Sequence, residues 1–231
     1  MLRTSTSTAL VSLLMGTALS ACSGGDSESV GDPEQRLEAA RKTIDQAESI
    51  ELTMETEDLP SGVEGIVSAE GVGTHEPAFD GTAQVRAFGM TGDVPVVAVG
   101  GDVYVKLPFK SEFSTFDLAA YDAPDPAELL SPTDGVTSMI TALEDVETGE
   151  TELDGETRVT PVEGTLAGSE VAKLFPSVDE SDEFDVTFRL DEDDVLRDAS
   201  ITGPFYAGAD DLTYTIALTA SDESVDIAVP S

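Results

Sequence analysis

The chain has 231 residues, with 11 basic against 47 acidic side chains, a formal net charge of -36, no tryptophan and a single cysteine. So negative a surface repels nucleic acid and anionic headgroups. One cysteine excludes an internal disulfide, and no CxxC or Cys/His companion stands by to hold a metal.

The first 21 residues carry one charged side chain, Arg3, followed by the apolar run ALVSLLMGTAL over 9–19. That run is too short to span a bilayer, which takes about 20 residues, and it fits the core of a signal peptide closing on small residues. Leu19-Ser20-Ala21-Cys22 resembles a bacterial lipobox, whose cysteine is acylated and becomes the N-terminus after cleavage. An ordinary secretory signal with a chance cysteine is the alternative. Residues 1–21 are thus expected to be a lipoprotein signal peptide, Cys22 the lipidation site, and 22–32 a flexible acidic Gly/Ser tether. Residues 33–231 remain for one domain, on the extracytoplasmic side of the cell membrane.

Over 33–49, Leu37, Ala40, Ile44 and Ala47 recur at helical spacing, with Asp32 as N-cap and Pro33 in the first turn. The period then changes to two, predicting strands over 51–57, 65–74, 81–89, 94–99 and 102–107. Pro60-Ser61-Gly62, Pro77, Thr91-Gly92-Asp93 and Gly100-Gly101 are the turn signals between them. Residues 121–131 are rich in Pro and Asp and end in a brief helical turn. Val136, Met139, Ile140 and Leu143 form an apolar stripe that predicts a second helix over 131–146. Strands at 151–153 and 156–166 flank Asp154-Gly155, a hairpin signal. Ser169 is expected to cap a short helix holding Val171, Leu174 and Phe175, which stops before Pro176. Strands over 184–190, 195–202, 212–218 and 225–229 complete the chain. Short strands with tight turns and inserted helices give an α+β domain: one large antiparallel sheet with helices on one face.

The alternating positions are apolar but small. Leu52 and Met54, then Ala83, Val85 and Ala87, then Val103, Val105 and Leu107 each share a face of their strand, and Val97 and Val99 are placed between them. Such a lining allows an ordinary core completed by Leu, Met and Phe from the helices, or a curved sheet around a dry cavity for an apolar ligand.

Chemistry-bearing constellations are sparse. His75, the sole histidine, lies in a turn-like Gly73-Thr74-His75-Glu76-Pro77 and reads as a solvated loop residue rather than a triad member. Asp191-Glu192-Asp193-Asp194 fails as a calcium loop, because Val195 and Leu196 fall where a ligand and a glycine belong. It reads as an exposed hairpin turn. The chain is therefore expected to be no enzyme and to need no cofactor or metal.

The order of these features resembles the LppX/LprAFG family of actinobacterial lipoproteins. The residues that carry the likeness are the lipobox, the first helix, a meander ending in Gly101-Asp102-Val103-Tyr104, and the phrase YDAPDPAELLSP over 121–132. That phrase is similar to the family's YDPAQVLNP run, and Asp134-Gly135-Val136 follows it as a glycine-containing helix start. Leu153-Asp154-Gly155-Glu156-Thr157 resembles the family's NGQNT step, and the likeness runs from about Glu34 to Pro230. It implies a half-barrel sheet of the LolA/LolB type, helices over its concave side, and a cavity for acyl chains between them. Members of the LprG type imply triacylated glycolipids or triacylglycerol as cargo and a major-facilitator transporter as partner. On this reading Leu52, Met54, Ala83, Val85, Ala87, Val97, Val99, Val103 and Val105 line the cavity, and Val136, Met139, Ile140 and Leu143 cover it. The protein is expected to act as a monomer, anchored through Cys22, carrying lipid between membrane and outer envelope. A surface-displayed interaction or transporter-accessory lipoprotein with a solid core is the alternative.

Overall fold

The computed structural model describes residues 31–230, apart from Asp58 and Asp122; the expected signal peptide, Cys22 and most of the expected tether lie outside the described residues. Helix α1 (Pro33–Asp45) starts where expected, with the Asp32 carboxylate accepting from the backbone N–H groups of Glu34 and Gln35. These are two of the donors that a helix start otherwise leaves open. Then come β1 (Ser49–Glu55), β2 (Gly65–Thr74), β3 (Ala78–Ala87), β4 (Met90–Val99), β5 (Asp102–Val105) and the two-residue β6 (Ser114–Thr115). Short 3-10 turns at Leu118–Tyr121 and Glu128–Leu130 lead to α2 (Val136–Ile140). The rest comprises β7 (Glu144–Thr148), β8 (Glu152–Asp154), β9 (Thr157–Ala167), α3 (Gly168–Val171), β10 (Glu183–Asp191), β11 (Leu196–Gly203) and β12 (Leu212–Ser221).

Every pairing is antiparallel. The sheet runs β6-β5-β4-β3-β2-β1-β12-β11-β10-β9-β7, with β8 added beside β9. Two meanders thus meet where the first strand pairs with the last, Leu52 opposite Leu218 and Met54 opposite Ile216. Helix α1 touches both β12 and β7, which stand four places apart in that order. That helix, 13 residues and about 20 Å long, spans the β12–β7 half of the sheet. The architecture is α+β, an open curved antiparallel sheet with helices on its inner side.

Several expected boundaries shift. The helix expected over 131–146 shrinks to Val136–Ile140, and Leu143 lies beyond it. β-branched Val136 and Thr137 are weak helix formers, the Gly135 cap lends no side chain, and the free edge of β9 recruits Glu144–Thr148 as a strand. The hairpin turn placed at Thr91-Gly92-Asp93 falls instead at Phe88-Gly89, between paired Ala87 and Met90. Ser169 sits inside α3, whose N-cap is Ala167. The strand expected over 225–229 is absent.

Candidate functional site

The inner face can be read as rows crossing the sheet, since paired residues point the same way. One row runs Ile216, Met54, Ala69, Ala83, Val94. The next runs Leu218, Leu52, Gly71, Gly81, Val96, Val105, and a third runs Ala220, Ile50, Gly73, Phe79, Ala98, Val103. In the first two rows side chains are large on β12 and β1, shrink to alanine or glycine at β2 and β3, and return as valines beyond; in the third, Phe79 of β3 faces Gly73 of β2. At the glycine seam, a Cβ on Gly71 would lie 2.4 Å from the Phe79 ring, and one on Gly73 would lie 2.4 Å from Leu130. Phe79 and Leu130 therefore rest on bare backbone, and only glycine leaves them that room.

These rows separate two apolar clusters. The larger joins Leu52 and Met54 to Val136, Met139 and Ile140 and to the aromatics Phe184, Phe188, Phe205 and Tyr214, with Leu143 packed at its edge. The smaller gathers Phe79, Ala98, Val103, Val105 and Ala127, partly covered by Phe116 and Leu118. Ala83, Val85 and Ala87 belong to neither and stay partly exposed. Val97 and Val99 require a correction. Val97 pairs with Asp80 and Tyr104, so it points away from the inner row of Ala98, and Val99 does likewise. Along β4 the inner positions are Val94, Val96 and Ala98, one residue off the expected set, and that offset reverses the face.

Two open hollows lie on the surface of the described residues, and of the thirteen expected lining residues only Met54 borders either of them. The first, about 400 Å³, is edged by Thr53, Glu55, Ser68, Glu70, Thr82 and Gln84 of the opposite face; the second, about 340 Å³, by Thr43, Gln46, Ala47, Ala220 and Asp222. Both are polar at the rim, unlike the mostly apolar pockets that hold oily ligands. The apolar surface within reach of a ligand is instead the partly exposed strip Ala83, Val85 and Ala87 of β3 with Met90 of β4, since Val94 and Val96 pack on the smaller cluster.

Groups that sequence reasoning passed over, or read as solvated, hold the layers together. His75 is a strut rather than a solvated loop residue: its ring nitrogens lie 3.2 and 3.1 Å from the carbonyl oxygens of Leu130 and Ile44, bridging the Glu128–Leu130 turn to α1. Arg36, almost wholly buried, pairs with Asp194 and donates to the Asp191 carbonyl, so it clamps α1 to the β10–β11 turn. Asp191 Oδ1 accepts from the N–H groups of Asp193 and Val195, and the acidic turn is thereby engaged in shaping itself. The Tyr214 hydroxyl donates to the Ile66 carbonyl at the bulge in β2 and meets Tyr206. Burial, reinforced by Tyr206, pushes that phenol far above its ordinary range. On the outer face Arg189 gathers Asp198, Asp154 and Glu152. Burial raises Asp198 above the usual carboxylate range even against that guanidinium. Burial of Arg189 works against its charge too, yet the hydrogen bond to Asp154 and the surrounding carboxylates hold it above its ordinary value.

An open antiparallel sheet with a filled aromatic core in one half and a partly exposed apolar strip in the other can be set beside known proteins. The family model for LppX_LprAFG lipoproteins matches residues 32–229, and the chain belongs to that family. Its structure is similar to that of LprF from Mycobacterium bovis, with a TM-score of 0.69 and 15% identity, covering 86% of this chain and 97% of that one. It is also similar to lipoprotein LppX from Mycobacterium tuberculosis, with a TM-score of 0.58 and 16% identity, covering 85% of this chain and 98% of that one. At these identities the likeness concerns the fold. No curated protein sequence matches this chain.

Proposed function

We propose that this lipoprotein binds acylated lipids along the inner flank of β3 and β4 and carries them between membrane and outer envelope, tethered through Cys22. The observation that carries the reading is the uncovered row Ala83, Val85 and Ala87, apolar, small and partly exposed beside a core that is otherwise closed. Burying a methylene is worth about 0.8 kcal/mol, so one sixteen-carbon chain laid there avoids a hydration cost on the order of 10 kcal/mol. No bond need be made or broken. Triacylated glycolipid or triacylglycerol is the cargo class and a major-facilitator transporter the membrane partner, both carried from the family resemblance.

The test is native mass spectrometry of the protein purified without delipidation. Acylated lipid is expected to remain bound, and Ala83→Trp is expected to abolish uptake of labelled lipid with the fold retained. Clean protein and unchanged uptake by the variant would remove the flank from the function. Cys22→Ala is expected to release the chain from membranes. A second reading, an anchored interaction lipoprotein without cargo, draws on the filled aromatic core and the polar rims of the two hollows. Absence of any bound lipid favours it.

A further inference from the structure

The same flank ends in an unusual edge. Hairpin β3–β4 closes through Phe88 and Gly89 with φ of +52° and +72°, the geometry of a two-residue type I′ turn, whose first position ordinarily goes to Asn, Asp or Gly. Beyond β5, a second turn runs from Leu107 to Lys110, closed by the Lys110 N–H donating to the Leu107 carbonyl at 3.0 Å. It carries Phe109 at φ +70°, again a slot that Gly or Asn fills at least cost. The two turns are neighbours. The Lys106 N–H donates to the Pro95 carbonyl, and the Pro108 ring lies 3.8 Å from where a Cβ on Gly92 would stand, so this segment runs beside β4 toward the hairpin tip.

Both aromatics are held outward: Phe88 is 84% exposed and Phe109 fully so, with Met90 at 68% and Leu107 at 40%. Left-handed backbone costs conformational energy at bulky residues, and in the free molecule no burial offsets it. The Phe109 turn is also bracketed by Lys106 and Lys110, two of only 11 basic residues, and neither has an ion-pair partner among the described residues. Of the nearby acids, Glu64 accepts the Phe88 N–H and Asp93 accepts from Gln84; Glu112 follows two residues after Lys110. Two exposed aromatic tips, one of them flanked by lysines, suit a bilayer interface, where the rings sit among headgroups and each lysine attracts anionic lipid. The charge of -36 is spread over the whole molecule, and screening within about 10 Å lets these local lysines act on a surface they touch.

We propose that these two turns form a docking edge that inserts into a bilayer containing anionic phospholipid. Met90 shares the inner face with Ala87 and Val85, so an apolar strip leads from the edge onto the flank. Only this last link, lipid passing along the strip, rests on the carrier reading.

The absence of tryptophan makes the test direct. The full chain carrying Phe88→Trp or Phe109→Trp is placed on vesicles of phosphatidylcholine with phosphatidylglycerol, some of it brominated. Emission at both tips is expected to shift to the blue and to be quenched at least about threefold more than that of Leu153→Trp, an exposed reporter on the β8–β9 hairpin. Adding Lys106→Glu and Lys110→Glu is expected to remove most of that excess. Tip quenching no greater than at Leu153→Trp overturns the proposal, as does quenching seen only in native envelope membranes and never in protein-free vesicles, which assigns the edge to a protein partner. Equal quenching on purely zwitterionic vesicles overturns the anionic preference. Uptake of labelled lipid, measured separately, keeps the two readings apart: tip insertion without uptake removes the carrier and leaves docking, and uptake without tip insertion does the reverse.

Discussion

The β9–β12 meander and the β2–β5 meander are built on the same antiparallel plan, yet they bury their inner faces differently. In the first, Phe184, Phe188, Phe205 and Tyr214 are all 1% exposed or less, and Phe205 stacks edge-on against Phe184, Phe175 and Tyr214. In the second, β2 and β3 contribute Ala69, Gly71, Gly73, Gly81 and Ala83, and most of their residues stay partly exposed. Aromatics fill the space between sheet and helix at interior density, whereas alanine and glycine leave surface that water or a ligand must cover. The contrast teaches where stability and function reside. One half holds a closed aromatic core, and the other half is the surface on which the proposed lipid would lie.

Substitutions can break that contrast. Phe184→Ala, in the filled half, removes a ring from a closed core and is expected to cost about 3–5 kcal/mol, read by denaturant unfolding. A loss under about 1 kcal/mol would show that the core is not as solid as its burial implies. Tyr214→Phe is expected to cost about 1–3 kcal/mol at neutral pH, because the Ile66 carbonyl loses its donor inside the protein. Its pH dependence follows from the raised phenol. The folded state keeps the proton that the unfolded chain loses above pH about 10, so the stability this group gives is complete below that pH and falls as pH rises further. The wild-type unfolding curve should therefore steepen by up to about 1.4 kcal/mol per pH unit above pH 10 relative to Tyr214→Phe. Parallel alkaline curves would refute the burial of a neutral phenol. His75→Ala removes the strut between the Glu128–Leu130 turn and α1 and is expected to cost about 1 kcal/mol, with faster amide exchange at Leu130 and Ile44 as its local sign.

Much of this contrast was legible in the sequence, and the failures have physical causes. Alternation located β10–β12, because one face of each is buried and the pattern of two is then strict, and it placed β2 to the residue although β2 stays partly exposed on both faces. It failed on β4, where VPVVAV offers apolar residues to both faces and periodicity loses its meaning. That is how Val97 and Val99 came to be set among inner-facing residues. The second helix was overdrawn because Leu143 continues a helical stripe that a free strand edge overrides. The glycine seam was visible as Gly71, Gly73 and Gly81, but its meaning needs Phe79 and Leu130, which reach it across the sheet and from a distant turn. No periodicity signals a contact between Arg36 and Asp194, 158 residues apart.

The smallest expected effect gives the sharpest comparison. Val162→Ala and Val85→Ala remove the same two methyl groups, one from a fully buried site on β9 and one from the open flank. The first is expected to cost about 1.5–3 kcal/mol and the second about 0.5 kcal/mol or less, since a partly exposed valine leaves little void behind it. Acylated lipid should change that ranking in one direction only. With a chain lying along β3 and β4, Val85 becomes a buried contact, and Val85→Ala should then lower the lipid-induced rise in melting temperature while Val162→Ala leaves that rise intact. If the two variants respond alike to lipid, the bound chain touches neither site selectively and the flank is not where it lies. If only Val85→Ala responds, the uncovered row is occupied by cargo, and the division between a fixed half and an exchangeable half follows from side-chain size alone.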